Sequence, residues 1–230
     1  MKLYLDIETT PCADPLFYAQ VSETITAPAQ YKKPESIAEW LRENKEQAIK
    51  DVVSKTSFDG LFGQIACICY AFDDGEIFTA DRNSSGDEKT MIEHFYTHVF
   101  DMSGVDHHSG TTYQPITVVG HNVAGFDLPF LKHRSIIHGV VPVPAILKAM
   151  SAKPWDACIA DTMLMWSSDS QKRVSMEKLC KAFGLEGKGG FDGSMVAETW
   201  PHDPKKVIEY CKDDVRRTRS IFKRLTWDQS

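Results

Sequence analysis

The sequence predicts an α/β fold, a mixed central β-sheet flanked by helices. Three observations carry the prediction. The chain opens on KLYLDIETTP, where apolar and polar residues alternate. The runs GQIACICYAF and EIFTA flank Asp73-Asp74-Gly75 and read as a β-hairpin on a tight turn. Strand-like runs then alternate with segments of helical period, ending in PKKVIEYCKDDVRRTRSIFKRL. With 230 residues the chain suffices for one large domain or two small ones. No repeat, low-complexity tract or linker divides it, so one domain over 1–230 is the simplest account.

In the first strand Leu3, Leu5 and Ile7 point to one face and Tyr4, Asp6 and Glu8 to the other. A long connection rich in Thr, Pro and Ala follows over residues 9–34. PESIAEWLRENKEQAIKDVV is a helix that starts on Pro34, with Ile37, Trp40, Leu41, Ala48 and Val52 as its apolar stripe. After the hairpin, DEKTMIEHFYTHVF is a helix with acids in its first turn, and residues 102–115 form a polar loop containing His107-His108. PITVVG is a short buried strand ending at His121-Asn122, and GFDLPFLKHRSIIHG opens a helix. VVPVPAILKAMSAKPW is broken by prolines, and DACIADTMLMW runs from a short strand or turn into a helix that Asp161-Thr162 caps. SMEKLCKAFG stops at Gly184 and leads into the glycine-rich LEGKGGFDG, which lacks P-loop spacing. In the last helix Val207, Tyr210, Cys211, Asp214, Val215, Thr218, Ile221 and Phe222 share the core-facing stripe.

Composition is that of an ordinary globular protein, 42% hydrophobic and 25% charged. The net charge of -6 argues against a general nucleic-acid coat protein, but it is unevenly spread. Residues 1–110 hold 9 Lys and Arg against 19 Asp and Glu, and residues 111–230 hold 17 against 13. Residues 204–224 alone carry eight basic and three acidic side chains, either a phosphate-holding stripe or a solvated helix face. The six cysteines show no CxxC pair and no zinc-type spacing, and Cys67 and Cys69 fit as small core residues. A reduced, cytoplasmic setting is expected. No apolar run approaches the length of a membrane span, so no membrane association is expected.

Three acidic elements need a reason. Asp6 and Glu8, two apart on one strand face, place their Cα atoms roughly 6.6 Å apart. Two buried like charges are costly unless cations neutralise them. Asp127 follows a short buried strand in GHNVAGFDLPFL, where a helix cap is the plain explanation. His121, Asn122 and Gly125 beside it crowd the strand end where open α/β sheets bind ligands. Asp214 shares the core-facing stripe of the last helix with Tyr210, one turn away. Each element alone is weak.

Taken in order, D-x-E on the first strand, F-D after a middle strand and Y-x-x-x-D on the last helix resemble the DEDD exonuclease superfamily over nearly the whole chain. The chain is most similar to the proofreading 3′–5′ exonuclease domain of family B DNA polymerases and its stand-alone relatives, a likeness that GKGGFDGS shares. The sister branch has histidine five residues before the last aspartate, where this chain has Glu209, so Tyr210 implies the tyrosine branch.

The resemblance implies an RNase H-like fold and four metal-binding carboxylates, Asp6, Glu8, Asp127 and Asp214. Two Mg²⁺ or Mn²⁺ ions about 3.5–4 Å apart would clamp a phosphodiester between them. Asp6 would bridge both ions, Glu8 and Asp214 would favour the water-bearing one and Asp127 the other. Tyr210, a neutral phenol at pH 7, would orient the water.

By similarity the backbone at Thr9 and Thr10 meets the terminal nucleotide and Asn122 its sugar or phosphate. Phe126 either stacks on a base or packs in the core. Lys188, with Lys172 and Arg173, is either a phosphate contact or an ordinary surface charge. The expected partner is the 3′ end of single-stranded DNA, with RNA as the alternative, approaching from the 111–230 side; a protein partner is also open. The competing readings are an exoribonuclease or oligoribonuclease, and a catalytically silent nucleic-acid-end or protein-binding module. The insert at roughly 12–58 is least like a minimal exonuclease, and the sequence leaves it open as lid, partner surface or elaboration.

Overall fold

The computed structural model describes residues 1–104, 114–167, 173–187 and 189–228. Its sheet has five strands in the order β3-β2-β1-β4-β5, formed by β1 (Lys2–Thr10), β2 (Gln64–Phe72), β3 (Ile77–Asp81), β4 (Thr117–Gly120) and β5 (Ile159–Asp161). β1, β2 and β3 are antiparallel neighbours, while β4 pairs parallel with β1 and β5 parallel with β4. The mixed sheet and its flanking helices form the α/β, RNase H-like architecture.

The alternation along β1 sorts its side chains between two cores. Leu3, Leu5 and Ile7 join one buried cluster with Ile65, Ile68, Met91, Phe95, Leu128 and Leu131. This cluster lies against α4 (Glu88–Met102) and α5 (Asp127–His138). Tyr4 faces the other way, among Cys67, Cys69, Val119, Val207, Cys211 and Val215. That face is covered by α10 (Pro204–Leu225), with the single turn α9 (Val196–Thr199) at its edge. Both faces of β1 are therefore covered, and its polar residues Glu8, Thr9 and Thr10 are buried.

The remaining helices are α1 (Pro15–Thr24), α2 (Pro34–Lys55), α3 (Arg82–Ser85), α6 (Pro144–Ala149), α7 (Thr162–Ser167) and α8 (Met176–Phe183). Two of them correct the sequence reading. The connection at 9–34 contains α1, because Asp14 accepts the Leu16 N–H at 2.9 Å and Pro15 supplies the first helical φ. The proline-broken stretch contains α6 for the same reason: Pro144 opens a helix rather than ending one. Residues 105–113, with His107-His108, lie outside the described residues. Among the described residues no helix is long and apolar enough to cross a membrane.

Close packing at the end of β4 is bought with a glycine. A Cβ on Gly120 would lie 2.5 Å from that of Val123 and 3.1 Å from the Leu5 carbonyl. The chain can therefore turn sharply beside β1 into the loop that carries Asn122.

Candidate active site

β1 sets Asp6 and Glu8 on the face that α10 covers, opposite Cys69 and Cys67 of β2. Beyond Glu8 the register slips: Glu8 pairs with Cys67 but Thr9 with Ile65, which leaves Ala66 as the extra residue of a β-bulge. The bulge puts both Ala66 and Cys67 into the α10-facing cluster and returns Ile65 to the opposite core. From α10, Tyr210 and Asp214 project onto the same spot, both buried. One carboxylate oxygen from each of Asp6, Glu8 and Asp214 lies within 4.8 Å of the others.

Asp127 arrives from another direction. β4 pairs with β1 only from Lys2 to Tyr4, so the Ile7 N–H further along has no partner in β4. Oδ1 of Asp127, the first residue of α5, accepts that N–H at 3.0 Å. The capping reading of Asp127 is thus replaced by a bond to β1, which holds the carboxyl beside Asp6 and outside the tight group of three.

The electrostatics are those of a site built for positive charge. Asp127 and Asp214 are each 4% exposed and Glu8 9%. Oδ2 of Asp6 is buried with no hydrogen-bond partner, an expensive state for a carboxylate oxygen. Burial pushes the Asp6 carboxyl well above its ordinary range, and the like charges of Asp214, Asp127 and Glu8 push it further. Asp127 is pushed up to about 7, chiefly by burial, with Asp161 and Asp214 adding and the Ile7 N–H opposing. Carboxylate oxygens close together, one of them orphaned, fit a hard divalent cation.

Tyr210 is kept neutral. Burial is the main cause of its raised pKa, followed by the charges of Asp214, Glu8 and Asp6, and its phenol is hydrogen-bonded to Asp214. Phe191 packs edge-on against its ring at 4.9 Å.

Arg217, counted in the sequence only as one charge of the basic stretch 204–224, is a site residue. It is 9% exposed, and its Nη1 donates to Asp214 Oδ1 at 2.8 Å while Nη2 donates to the Gly187 carbonyl at 2.9 Å. Its spacing of three from Asp214 was visible, but its burial was not. Half of the basic stripe is engaged within the fold: besides Arg217, Arg216 pairs with Glu209 and Asp213, Lys223 with Asp74, and Arg219 donates to the Gly75 carbonyl.

Three thiols pack behind the carboxylates. Sγ atoms of Cys67, Cys69 and Cys211 lie within 4.8 Å of one another, and Cys211 donates to the Asp6 carbonyl at 3.4 Å. Cys67 and Cys69 are core residues, as expected, and their small side chains let α10 approach the sheet.

The other sequence candidates are dispersed around this cluster. The Thr9 hydroxyl donates to the Ser57 carbonyl at 2.6 Å, and that of Thr10 accepts from Arg82 at 3.2 Å. Asn122 takes a left-handed backbone, φ 65°, with its N–H on Asp161. A Cβ on Gly125 would lie 2.6 Å from Asn122 Oδ1, so the glycine leaves room for that amide. Asp161 also accepts from Met163 and Leu164 and so caps α7 as expected. Phe126 packs on the core beside Phe130 and also lines a pocket of about 350 Å³ with Glu8, Thr9, Ser57, Phe58 and Ser194. Lys188 and Lys172 lie outside the described residues.

Fold and site define the class: an RNase H-like domain with an acidic cluster on its central strand. The chain is similar in structure to the family B DNA polymerase of the hyperthermophilic archaeon Pyrobaculum calidifontis, with a TM-score of 0.58 and 17% identity. The match covers 98% of this chain and 24% of the polymerase, so the chain spans about a quarter of that protein's length. Residues 61–229 match the family described as a predicted 3′–5′ exonuclease related to the exonuclease domain of PolB, and the chain belongs to that family. The matched residues include Asp127, Tyr210 and Asp214, while Asp6 and Glu8 precede them. No curated protein matches the sequence.

Proposed function

We propose that this protein is a single-domain, two-metal-ion 3′–5′ exonuclease of the tyrosine branch. It releases nucleoside 5′-monophosphates from the 3′ end of single-stranded nucleic acid, DNA in preference to RNA. The observation that carries this reading is the group of Asp6, Glu8 and Asp214 oxygens within 4.8 Å, with Asp6 Oδ2 buried and unpartnered. Membership of an exonuclease family supports it.

Asp6, Glu8, Asp127 and Asp214 would hold Mg²⁺ or Mn²⁺. When bound, the ions supply an activated water and stabilise the leaving 3′-oxygen. Arg217 fixes the rotamer of Asp214 and takes up part of its charge. Asp127, held on the Ile7 N–H through one oxygen, keeps the other for a ligand. Tyr210, neutral and hydrogen-bonded to Asp214, holds the attacking water in line and takes no proton from it.

The test is degradation of 5′-labelled single-stranded DNA and RNA with Mg²⁺, Mn²⁺ or EDTA. The expected result is a metal-dependent ladder shortening from the 3′ end, faster on DNA. Intact DNA and RNA under every condition, from folded protein, would reject the reading in favour of a silent binding module. Faster loss of RNA would favour the exoribonuclease.

The raised carboxyl pKa values give a pH signature. Asp127 has a folded value of about 7 against an ordinary 3.8, and Asp6 is shifted the same way. The folded state therefore keeps protons that the unfolded chain has released, and metal-free stability falls as pH rises from about 4 to about 7. Ions that bind only the folded state oppose this, increasingly once the protons have left. Thermal unfolding between about pH 5 and about pH 8 is expected to show a falling Tm in EDTA and a Mn²⁺-induced rise that grows with pH. A rise independent of pH would place the ion elsewhere.

A further inference from the structure

The segment at 12–58 ends in an exposed aromatic beside the carboxylates. Phe58 is 75% exposed, yet the 3₁₀ turn that carries it, Thr56–Phe58, is tied down on several sides. Thr9 Oγ1 donates to the Ser57 carbonyl at 2.6 Å, and the Cys12 N–H donates to Thr56 Oγ1 at 2.8 Å. The following loop closes on Asp59, whose carbonyl accepts the Gly63 N–H at 2.8 Å. Gly63 admits no side chain there, since a Cβ would lie 2.2 Å from the Thr56 carbonyl. The support holds this large apolar ring out beside the pocket that it lines.

What Phe58 faces narrows the contact. It lines the pocket of about 350 Å³ that it shares with Glu8, Thr9 and Phe126, and Gly193, Ser194 and Ala197 keep the remaining wall small. Glu8 belongs both to this pocket and to the carboxylate group, so the pocket adjoins the place where a phosphodiester would be cut. On the exonuclease reading, the base next to that bond is the group that would enter it. The volume is near the lower end for ligand pockets, enough for one unpaired nucleotide and too little for a base pair. Aromatic rings with a few hydroxyls suit a base, because every base offers a π-face whatever its identity.

We propose that the 12–58 segment completes a pocket for the unpaired terminal base and that Phe58 is its stacking platform, a specificity residue for single-stranded ends. The proposal rests on the exonuclease reading for its substrate. Phe58, like Asp6 and Glu8, lies before the residues that match the exonuclease family.

Two readouts test it. In an Asp214→Asn background, which removes cleavage under the reading above, an oligonucleotide with 2-aminopurine at its 3′ end reports stacking by fluorescence. Quenching on binding is expected with Phe58, lost in Phe58→Ala and restored in Phe58→Trp, and absent when the probe base is moved to the 5′ end. In the otherwise wild-type protein, Phe58→Ala is expected to raise KM for base-bearing 3′ ends by about 5- to 150-fold, the range that stacking one base allows. An abasic 3′ end should hardly register the substitution. Quenching that survives Phe58→Ala, or equal losses on base-bearing and abasic ends, would overturn the proposal. The fluorescence does not depend on cleavage: Phe58-dependent quenching without nuclease activity would sink the exonuclease reading alone. Full metal-dependent cleavage with Phe58-independent quenching would sink the pocket alone.

Discussion

Asp6→Asn is expected to abolish nuclease activity while raising the melting temperature of the metal-free protein. Asp6 stands at the centre of the cluster, with Oδ2 buried and unpartnered and the charges acting on it mostly negative. Metal ions stabilise the charge that develops during phosphoryl transfer by several kcal/mol, so if the proposed function holds, loss of this carboxylate should cost a factor of about a thousand or more. The opposite effect on stability follows from the same geometry. An amide at this position carries no charge to desolvate and brings N–H donors toward the oxygens of Glu8, Asp127 and Asp214, relieving their repulsion. Asp214 is the less discriminating choice, because Arg217 already offsets its charge and an amide there would remove the guanidinium's nearest counter-charge. The measurements are turnover of labelled single-stranded DNA and thermal unfolding in EDTA, side by side. Loss of activity together with a lower Tm would mean that Asp6 has a structural partner and that the cluster is not primarily a cation site.

Local periodicity carried much of the fold and the acidic part of the site, for identifiable reasons. Alternation in KLYLDIETTP put Asp6 and Glu8 on one face, and the structure keeps them there, apart from Leu5 and Ile7. The stripe on the last helix placed Tyr210 and Asp214 toward the sheet, where both are buried. What stayed hidden depends on pairs remote in sequence. Cys211 joins Cys67 and Cys69 only because α10 packs on β2. The bulge at Ala66 is a registry decision between two strands, and neither strand signals it alone. Phe58 belongs to a segment whose local pattern shows a helix and no more; the bonds from Thr9 and Cys12 bring its end to the site. The charge count carried no information on pairing. The stripe at 204–224 is basic, but Arg216, Arg217, Arg219 and Lys223 are bonded within the fold.

The largest effect on stability is expected far from any acidic motif, at Glu88. Its carboxylate, on the first residue of α4, is buried and serves three partners. It accepts the Ile65 N–H at 2.6 Å, pairs with Arg134 at 2.7 Å and meets His138 Nε2 at 2.8 Å. Arg134 in turn donates to the Gly60 carbonyl at 3.3 Å. One network thus secures the bulged end of β2, which sets Cys67 opposite Glu8, and the loop that follows Phe58. Glu88→Ala would leave a guanidinium and a backbone N–H buried without their acceptor, a loss of about 3–5 kcal/mol. For a chain of this size that is a fall in Tm of roughly 10 °C. Glu88→Gln keeps the acceptor for Ile65 and should lose less. The double variant Glu88→Leu with Arg134→Met removes both charges, and it should recover part of the deficit of Glu88→Ala but not all, since Ile65 N–H and Gly60 O stay unpaired. Denaturant unfolding of the three variants gives the ranking, and Mn²⁺ titration of each tells whether the bulge transmits the damage to the carboxylates. A double variant no better than Glu88→Ala would show that the backbone contacts, rather than the ion pair, hold this corner of the fold.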